Sequence, residues 1–280
     1  MTTASERELR DKATQLRRTI LRTALKAGKG HIPPAFSWVE IAVALYQGGL
    51  LRLRPSEPRW AERDRFLLSK GHGCLTLYSM LAEFGYFSAS ELDGFAGDGS
   101  LLAGHPDTNI PGVESISGSL GHGLGVGAGL ALSAKLDGNG WNTVVLMGDG
   151  ECYEGSVWEA AMFAAHHGLG KLTAIIDRNR LAATGYTEDI IRLEPLADKW
   201  QTFGWQVQTV DGHDIPQLMG TLGGVLGVSV KQSDQPTVII AETLKGKGVG
   251  FMENSPNWHH RMPKDDEIVE AERLLELDGS

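Results

Sequence analysis

Four stretches of the chain are short apolar runs of strand length that stop at glycine or polar residues: "NTVVLMGDG", "KLTAIIDRN", "WQVQTVDGHD" and "QPTVIIAETLKG". All are rich in β-branched residues, which suits strands. The first two predict strands over 142–147 and 172–177. Between them, "GSVWEAAMFAAHHGLG" puts Val157, Ala160, Ala161, Ala164 and Ala165 on one helical face. Continuous apolar strands alternating with helices predict an α/β fold, a parallel sheet with helices on both faces. The front half reads as mainly helical, with helices near residues 6–27, 37–48, 74–85 and 119–136. The first is amphipathic through Ala13, Leu16, Ile20, Leu21 and Ala24. The last carries Gly121, Gly123, Gly125, Gly127 and Gly129, so something is expected to pack very close to it. A polar helix is expected in "PKDDEIVEAERLLELDGS". No repeat, low-complexity segment or linker divides the chain, so residues 1–280 are expected to form a single domain.

Composition narrows the partners. With 35 acidic against 26 basic residues the formal net charge is −9, which argues against nucleic acid or an anionic membrane. A small anion in a locally basic pocket stays open. No apolar run approaches the roughly 18 residues of a membrane span. The two cysteines, Cys74 and Cys152, stand outside any CxxC or Cys/His cluster, so neither a zinc site nor a disulfide framework is expected. A reducing, cytoplasmic setting fits. Glu6, Glu8 and Asp11 make the N-terminus too acidic for a transit peptide.

The chemistry concentrates where the first two strands end. Gly148-Asp149-Gly150 closes one, and Asn179 follows the next, thirty positions on. If the strands are parallel neighbours joined by one helix, Asp149 and Asn179 face each other beyond their carboxyl ends, where open α/β sheets bind ligands. A carboxylate and an amide oxygen are hard ligands that suit magnesium or calcium, with phosphate oxygens and water completing the shell. Glycines beside Asp149 let the backbone approach a phosphate. The helix near Gly155 offers free N–H groups to an anion. From GDG alone, a strand-to-helix turn with a capping aspartate is the more economical account. The matching asparagine favours a metal-bridged diphosphate site.

GDG followed at this spacing by Asn resembles the thiamine diphosphate motif. That resemblance implies magnesium held by Asp149, Asn179 and the carbonyl of Leu181, with Gly148 and Gly150 at the cofactor. Arg180 stands where relatives often carry Gly or Asn; its backbone need not turn left-handed, and its charge is expected near the diphosphate. Four histidine segments, "KAGKGHIP", "DRFLLSKGHGCLTLY", "LLAGHPD" and "KGKGVGFMENSPNWHHRMP", resemble transketolase motifs in the same order. The resemblance runs from about Ala24 to Pro263. It implies a thiamine diphosphate-binding (diphosphate-domain) fold, His72 on the cofactor diphosphate, and His31, His105 and His259 as catalytic residues facing sugar oxygens. It puts Gly118 and Leu120 against the cofactor rings and Lys70, Lys245 and Arg261 near the cofactor. Glu154, grouped with the cofactor-binding residues, matches a glutamate of an acid-mediated contact between paired active sites; simple placement of an acid at a helix N-terminus is an equal alternative. Pro33 and Pro34 stiffen a loop after His31. His166 and His167 read as residues near a helix C-terminus, His122 and His260 receive no role, and that of His213 stays open.

In full-length transketolases the chain continues into pyrimidine-binding and C-terminal domains. The expectation is therefore the N-terminal subunit of a split transketolase, transferring a two-carbon ketol unit from a ketose phosphate to an aldose phosphate. It would act with a separate pyrimidine-domain subunit, as a heterotetramer of two plus two. The alternatives are a transketolase-like subunit repurposed for an unusual donor or acceptor, and a non-catalytic subunit that keeps the fold. A nicotinamide dehydrogenase is disfavoured, because the fingerprint at Gly123, Gly125 and Ala128 lacks a preceding strand.

Overall fold

The structure, a computed structural model, describes residues 4–227 and 233–277. In chain order the elements are α1 (Glu6–Ala27), α2 (Ile32–Phe36), α3 (Val39–Tyr46), β1 (Arg65–Leu68), α4 (Cys74–Glu83), α5 (Gly123–Leu136), β2 (Thr143–Gly148) and α6 (Gly155–His166). They continue with β3 (Leu172–Arg178), α7 (Thr187–Ile190), α8 (Leu196–Thr202), β4 (Gln206–Asp211), α9 (Ile215–Leu226), β5 (Thr237–Glu242) and α10 (Asp266–Leu277). The end of the polar C-terminal stretch, 278–280, lies outside the described residues.

The five strands form one wholly parallel sheet in the order β1-β2-β3-β5-β4. Period-two alternation sorts its side chains between two cores. Val144, Leu146, Ile175 and Ile239 face the layer of α1, α3, α4 and α9; Val145, Met147, Ala174 and Ile176 face α5, α6 and α8. The α/β reading thus holds, with helices on both faces. β4 departs from the apolar pattern because it is an edge strand, and most of its side chains are exposed. Among the described residues no helix is long and apolar enough to cross a membrane.

α1 is the best-signalled element. Ser5 and Glu8 form a reciprocal capping box, and Gly28 ends the helix in the left-handed region at φ 66°. Elsewhere the expected elements shift. β1, inside "DRFLLSKGHG", was not foreseen as a strand; its apolar core is only Phe-Leu-Leu, and it forms by pairing with β2. The helix expected over 37–48 is α3, which starts two residues later, and a short helix not expected from the sequence, α2, precedes it across Ser37 and Trp38. Ser37 donates to Asp177 and the Trp38 indole N–H to the Gly73 carbonyl at 3.2 Å, which pins the chain there. Pro33 and Pro34 belong to α2 rather than to a stiff loop, in a helical first turn that needs no N–H from them.

The helix expected from residue 119 begins at Gly123. No strand of the structure directly precedes it, in keeping with the weak dinucleotide fingerprint. Close packing involves only some of its glycines. A Cβ on Gly127 would stand 2.4 Å from Val145 Cγ2, and one on Gly123 would stand 2.4 Å from Ser69 Cβ; Gly125 and Gly129 face open space. Because Val145 is a stiff β-branched residue in the sheet, Gly127→Ala should destabilise the protein by about 1–3 kcal/mol through overpacking. Urea unfolding midpoints of variant and wild type check this, and Gly125→Ala should fall within about 0.5 kcal/mol of wild type.

Candidate active site

Four adjacent strands end at one pocket. Lys70 follows β1, Asp149 follows β2, Asn179 and Leu181 follow β3, and Lys245 follows β5. Parallel register puts Gly148 beside Asp177 and Arg178 beside Glu242, so the residues just beyond them converge. The pocket, about 320 Å³, is also lined by His72, Leu120, Gly148, Gly150, Glu154 and His259. A larger groove of about 750 Å³ lies elsewhere, around Trp60 and Asn109, and its Arg63–Glu114 ion pair is already closed at 2.7 Å.

Asp149 is 1% exposed. One carboxylate oxygen accepts the Gly150 N–H at 2.8 Å; the other accepts the Arg180 N–H at 2.6 Å and Arg178 Nη1 at 3.1 Å. Asn179 Oδ1 accepts the Leu181 N–H at 3.1 Å. Burial pushes the Asp149 carboxyl up to about 6, against the pull of Arg178. Arg180 corrects two expectations. It does adopt the left-handed region, at φ 65°, which aims its N–H at Asp149. Its guanidinium turns away to Glu242, at 3.0 Å, so its charge is met at the rim.

Lys245 Nζ donates to the carbonyls of Leu181 and Ala182, each at 3.2 Å, and meets His259 Nδ1 at 2.7 Å. Burial, then the nearby Lys70 charge, lower its pKa to about 8. Lys70 is equally buried and pairs with Asp177, while donating to the Pro34 carbonyl at 2.8 Å. Burial opposes ionisation of Asp177, yet Lys70 holds it below the usual carboxylate range.

The histidines form a cluster, of which His72 and His259 line the pocket. Ring centroids of His31 lie 5.8 Å from His72, 6.2 Å from His105 and 5.4 Å from His259. His260, which had no assigned role, is the nearest at 4.5 Å. The adjacent "HH" was the available signal. Burial, then His260, lowers His31 to about 4; burial, then Lys245, lowers His259 to about 3; burial also lowers His105 and His72. At neutral pH these imidazoles are uncharged, so each can donate one hydrogen bond and accept one.

Two other expected residues, Gly118 and Arg261, lie outside the pocket lining. Gly118 is exposed beside His105, with φ 156°. Glu154 is the exposed residue before α6 and makes no side-chain capping bond. Arg261 stands over Trp258 and pairs with Glu267 rather than lining the pocket. α6 ends at His166, as expected, and both cysteines are free and buried. Sequence reasoning missed Arg178 and Glu151. The Glu151 carboxylate accepts the Gly148 N–H at 2.9 Å and the Gly121 N–H at 3.0 Å, and so fixes the GDG turn.

His213 acquires a structural role. Its Nε2 accepts the Leu244 N–H at 2.8 Å, so its Nδ1–H donates to Glu40, also at 2.8 Å. Glu40 is gripped by Arg17 at 2.6 Å; burial would raise its pKa, but Arg17 and His213 bring it to about 2. Arg17 Nε donates to the Lys247 carbonyl at 2.9 Å. The trio therefore holds the loop that presents Lys245 from both sides.

Residues 10–279 match the family described as "Transketolase, thiamine diphosphate binding domain". The chain belongs to the transketolase family. It is 41% identical to a protein of Phocaeicola vulgatus named as one subunit of an apulose-4-phosphate transketolase, across 92% of this chain and 90% of that protein. It is 37% identical to the "6-deoxy-6-sulfo-D-fructose transketolase subunit SqwG" of a Clostridium species, across 98% of each. Among solved structures, the transketolase of Campylobacter jejuni superposes with a TM-score of 0.91 at 28% identity, over 99% of this chain but only 44% of that one. The Pichia stipitis transketolase, crystallised with sedoheptulose-7-phosphate, gives 0.88 at 29% identity, and the chain spans 41% of its length. This fold is therefore the diphosphate-binding portion of a transketolase.

Asp149 leaves a pH signature in the cofactor-free protein. The native state holds its proton more tightly than the unfolded chain, whose carboxyl titrates near 3.8. Its contribution to stability therefore falls as pH rises from about 4 to about 6 and stays level above that. Asp149→Asn should lose this fall and gain about 1–3 kcal/mol over wild type between pH 4 and pH 7. Urea unfolding at both pH values measures the difference, and parallel pH profiles would contradict the buried-carboxylate account.

Proposed function

We propose that this chain is the diphosphate-binding subunit of a split transketolase that uses thiamine diphosphate and magnesium to move a two-carbon ketol unit between sugar phosphates. The observation that carries this reading is the convergence of Asp149, Asn179, the Leu181 carbonyl, Lys245, His72 and His259 on one pocket. Asp149, Asn179 and the Leu181 carbonyl would hold magnesium; they are hard oxygen donors and leave coordination positions for phosphate and water. His72, Lys245, Gly148 and Gly150 would face the diphosphate, with Leu120 toward the rings. When bound, the cofactor supplies the electron sink for carbon–carbon bond cleavage. The chain's own part is to position the sugar and to exchange protons with its oxygens. Neutral His31, His105 and His259 suit that task, because an uncharged imidazole can take a hydroxyl proton and return it.

A pyrimidine-domain partner is supported by two relatives, each named as one lettered subunit of an apulose-4-phosphate transketolase. Apolar surface also stands exposed: Ile190 and Ile191 near the pocket, Val126 on α5, Met162 and Phe163 on α6. With Gly125 and Gly129 open on α5, that face suits a second copy of this chain, hence two plus two. A cytoplasmic location fits the free thiols. The relatives named for apulose-4-phosphate and 6-deoxy-6-sulfo-D-fructose favour an unusual donor or acceptor over a central-pathway sugar.

Calorimetric titration of thiamine diphosphate, with magnesium and the partner present, should show binding by wild type and most of it lost in Asp149→Ala and His72→Ala. His31→Ala should bind nearly normally yet turn over about 10²–10⁴-fold more slowly. Equal cofactor affinity in Asp149→Ala would move the site elsewhere. Ketol transfer from a ketose phosphate should appear only when the chain is mixed with its partner, with a matching mass increase by light scattering. Robust turnover by the chain alone would sink the split reading, and none in the assembled complex would favour a non-catalytic role.

A further inference from the structure

Arg178 is the last residue of β3, and its side chain is 0% exposed. Its guanidinium serves two parts of the pocket. Nη1 donates to Asp149 at 3.1 Å and to Thr187 Oγ1 at 2.9 Å. Nη2 donates to Glu188 at 2.9 Å and to Glu194 at 2.8 Å. Three of the four acceptors lie on the segment from Thr187 to Glu194, which carries the pocket-lining Ile190. The glutamates are themselves tied to backbone: Glu188 accepts the Leu193 N–H at 3.2 Å, and Glu194 accepts the Leu196 N–H at 2.8 Å. Tyr153, from the turn after Asp149, donates its hydroxyl to the Thr187 carbonyl at 2.6 Å.

We propose that Arg178 is a positioning residue that couples the Asp149 turn to the Thr187–Glu194 wall of the pocket, so that ligand binding at Asp149 and ordering of that wall reinforce each other. The proposal rests on the diphosphate reading of the pocket. One cation is shared among three carboxylates, and the contact to Asp149 is the longest of the four. The two glutamates thus draw the guanidinium toward the wall and leave Asp149 with negative charge for a cation. Were the arginine paired with Asp149 alone, it would neutralise that carboxylate. The fork geometry matters, because an ammonium on a flexible stem cannot reach both sides at once. Coupling of this kind is reciprocal: whatever steadies the wall raises affinity at the turn by the same factor.

Hydrogen exchange read by mass spectrometry tests it on the chain assembled with its pyrimidine-domain partner, with magnesium and thiamine diphosphate as the probe. In wild type, adding the probe should slow exchange over residues 187–196. In Arg178→Met the same amides should exchange about tenfold or more faster and no longer respond to the probe, while the β2 and β5 amides stay as in wild type. Arg178→Lys should not restore the response. Glu188→Gln with Glu194→Gln, which leaves the contact to Asp149 in place, should loosen the wall in the same way and weaken probe affinity about 3–10-fold. This pair also keeps the test alive should Arg178→Met fail to fold. A wall that exchanges as in wild type without Arg178 would overturn the proposal. So would a wall that still responds to the probe in Arg178→Met, or unchanged probe affinity in the double glutamine variant. Failure of wild type to bind the probe at all would instead overturn the diphosphate reading, and the probe-free comparison of exchange rates would still report on the tether.

Discussion

Two carboxylates, Asp149 and Asp177, are buried at the carboxyl ends of neighbouring parallel strands, and the rest of the site depends on how their charge is met. Neither can be left unpaired in so dry a place without a cost of several kcal/mol. Period two in β3 resolves the problem. It sends Asp177 toward the α1, α3 and α4 layer, where Lys70 and Ser37 meet it, and Arg178 to the opposite face, where it meets Asp149. Lys70 reaches Asp177 only because β1 adds itself to the sheet beside β2. The resulting balance is unequal. Asp177 has a buried ammonium and two hydroxyls, from Ser37 and Thr243, and stays ionised. Asp149 shares its arginine with two glutamates, and its pKa rises to about 6. One is satisfied within the protein; the other remains suited to an external cation.

The same crowding explains the histidines. Burial lowers the pKa of His72 and His259, and the positive charge of Lys70 and Lys245, both about 1% exposed, adds to it. Protonated imidazoles are therefore disfavoured where the proposed substrate would sit. Lys245 is in turn held by a loop anchored to α1 and α3 through Arg17, Glu40 and His213. A charge network outside the pocket lining thus sets the position of one of its cations.

Local pattern specifies the helix-and-strand alternation, places Asp149 and Asn179 at strand ends and carries the histidine set. β-branched runs ending in glycine specify buried parallel strands through local propensity and burial. Asp149, Asn179 and the histidine segments are legible because their residue types and spacing carry the family pattern. What it left open depended on contacts between segments distant in the chain. β1 is a strand because β2 offers it hydrogen bonds, not because Phe66, Leu67 and Leu68 demand it. α3 starts later than the local pattern implies because Ser37, between α2 and α3, reaches Asp177, 140 positions away. Arg180 turns left-handed because Asp149 accepts its N–H and Glu242 its charge. The roles of His213, His260 and Arg178 were decided by tertiary structure alone, since each comes from a partner that only the assembled sheet and its covering helices bring within reach.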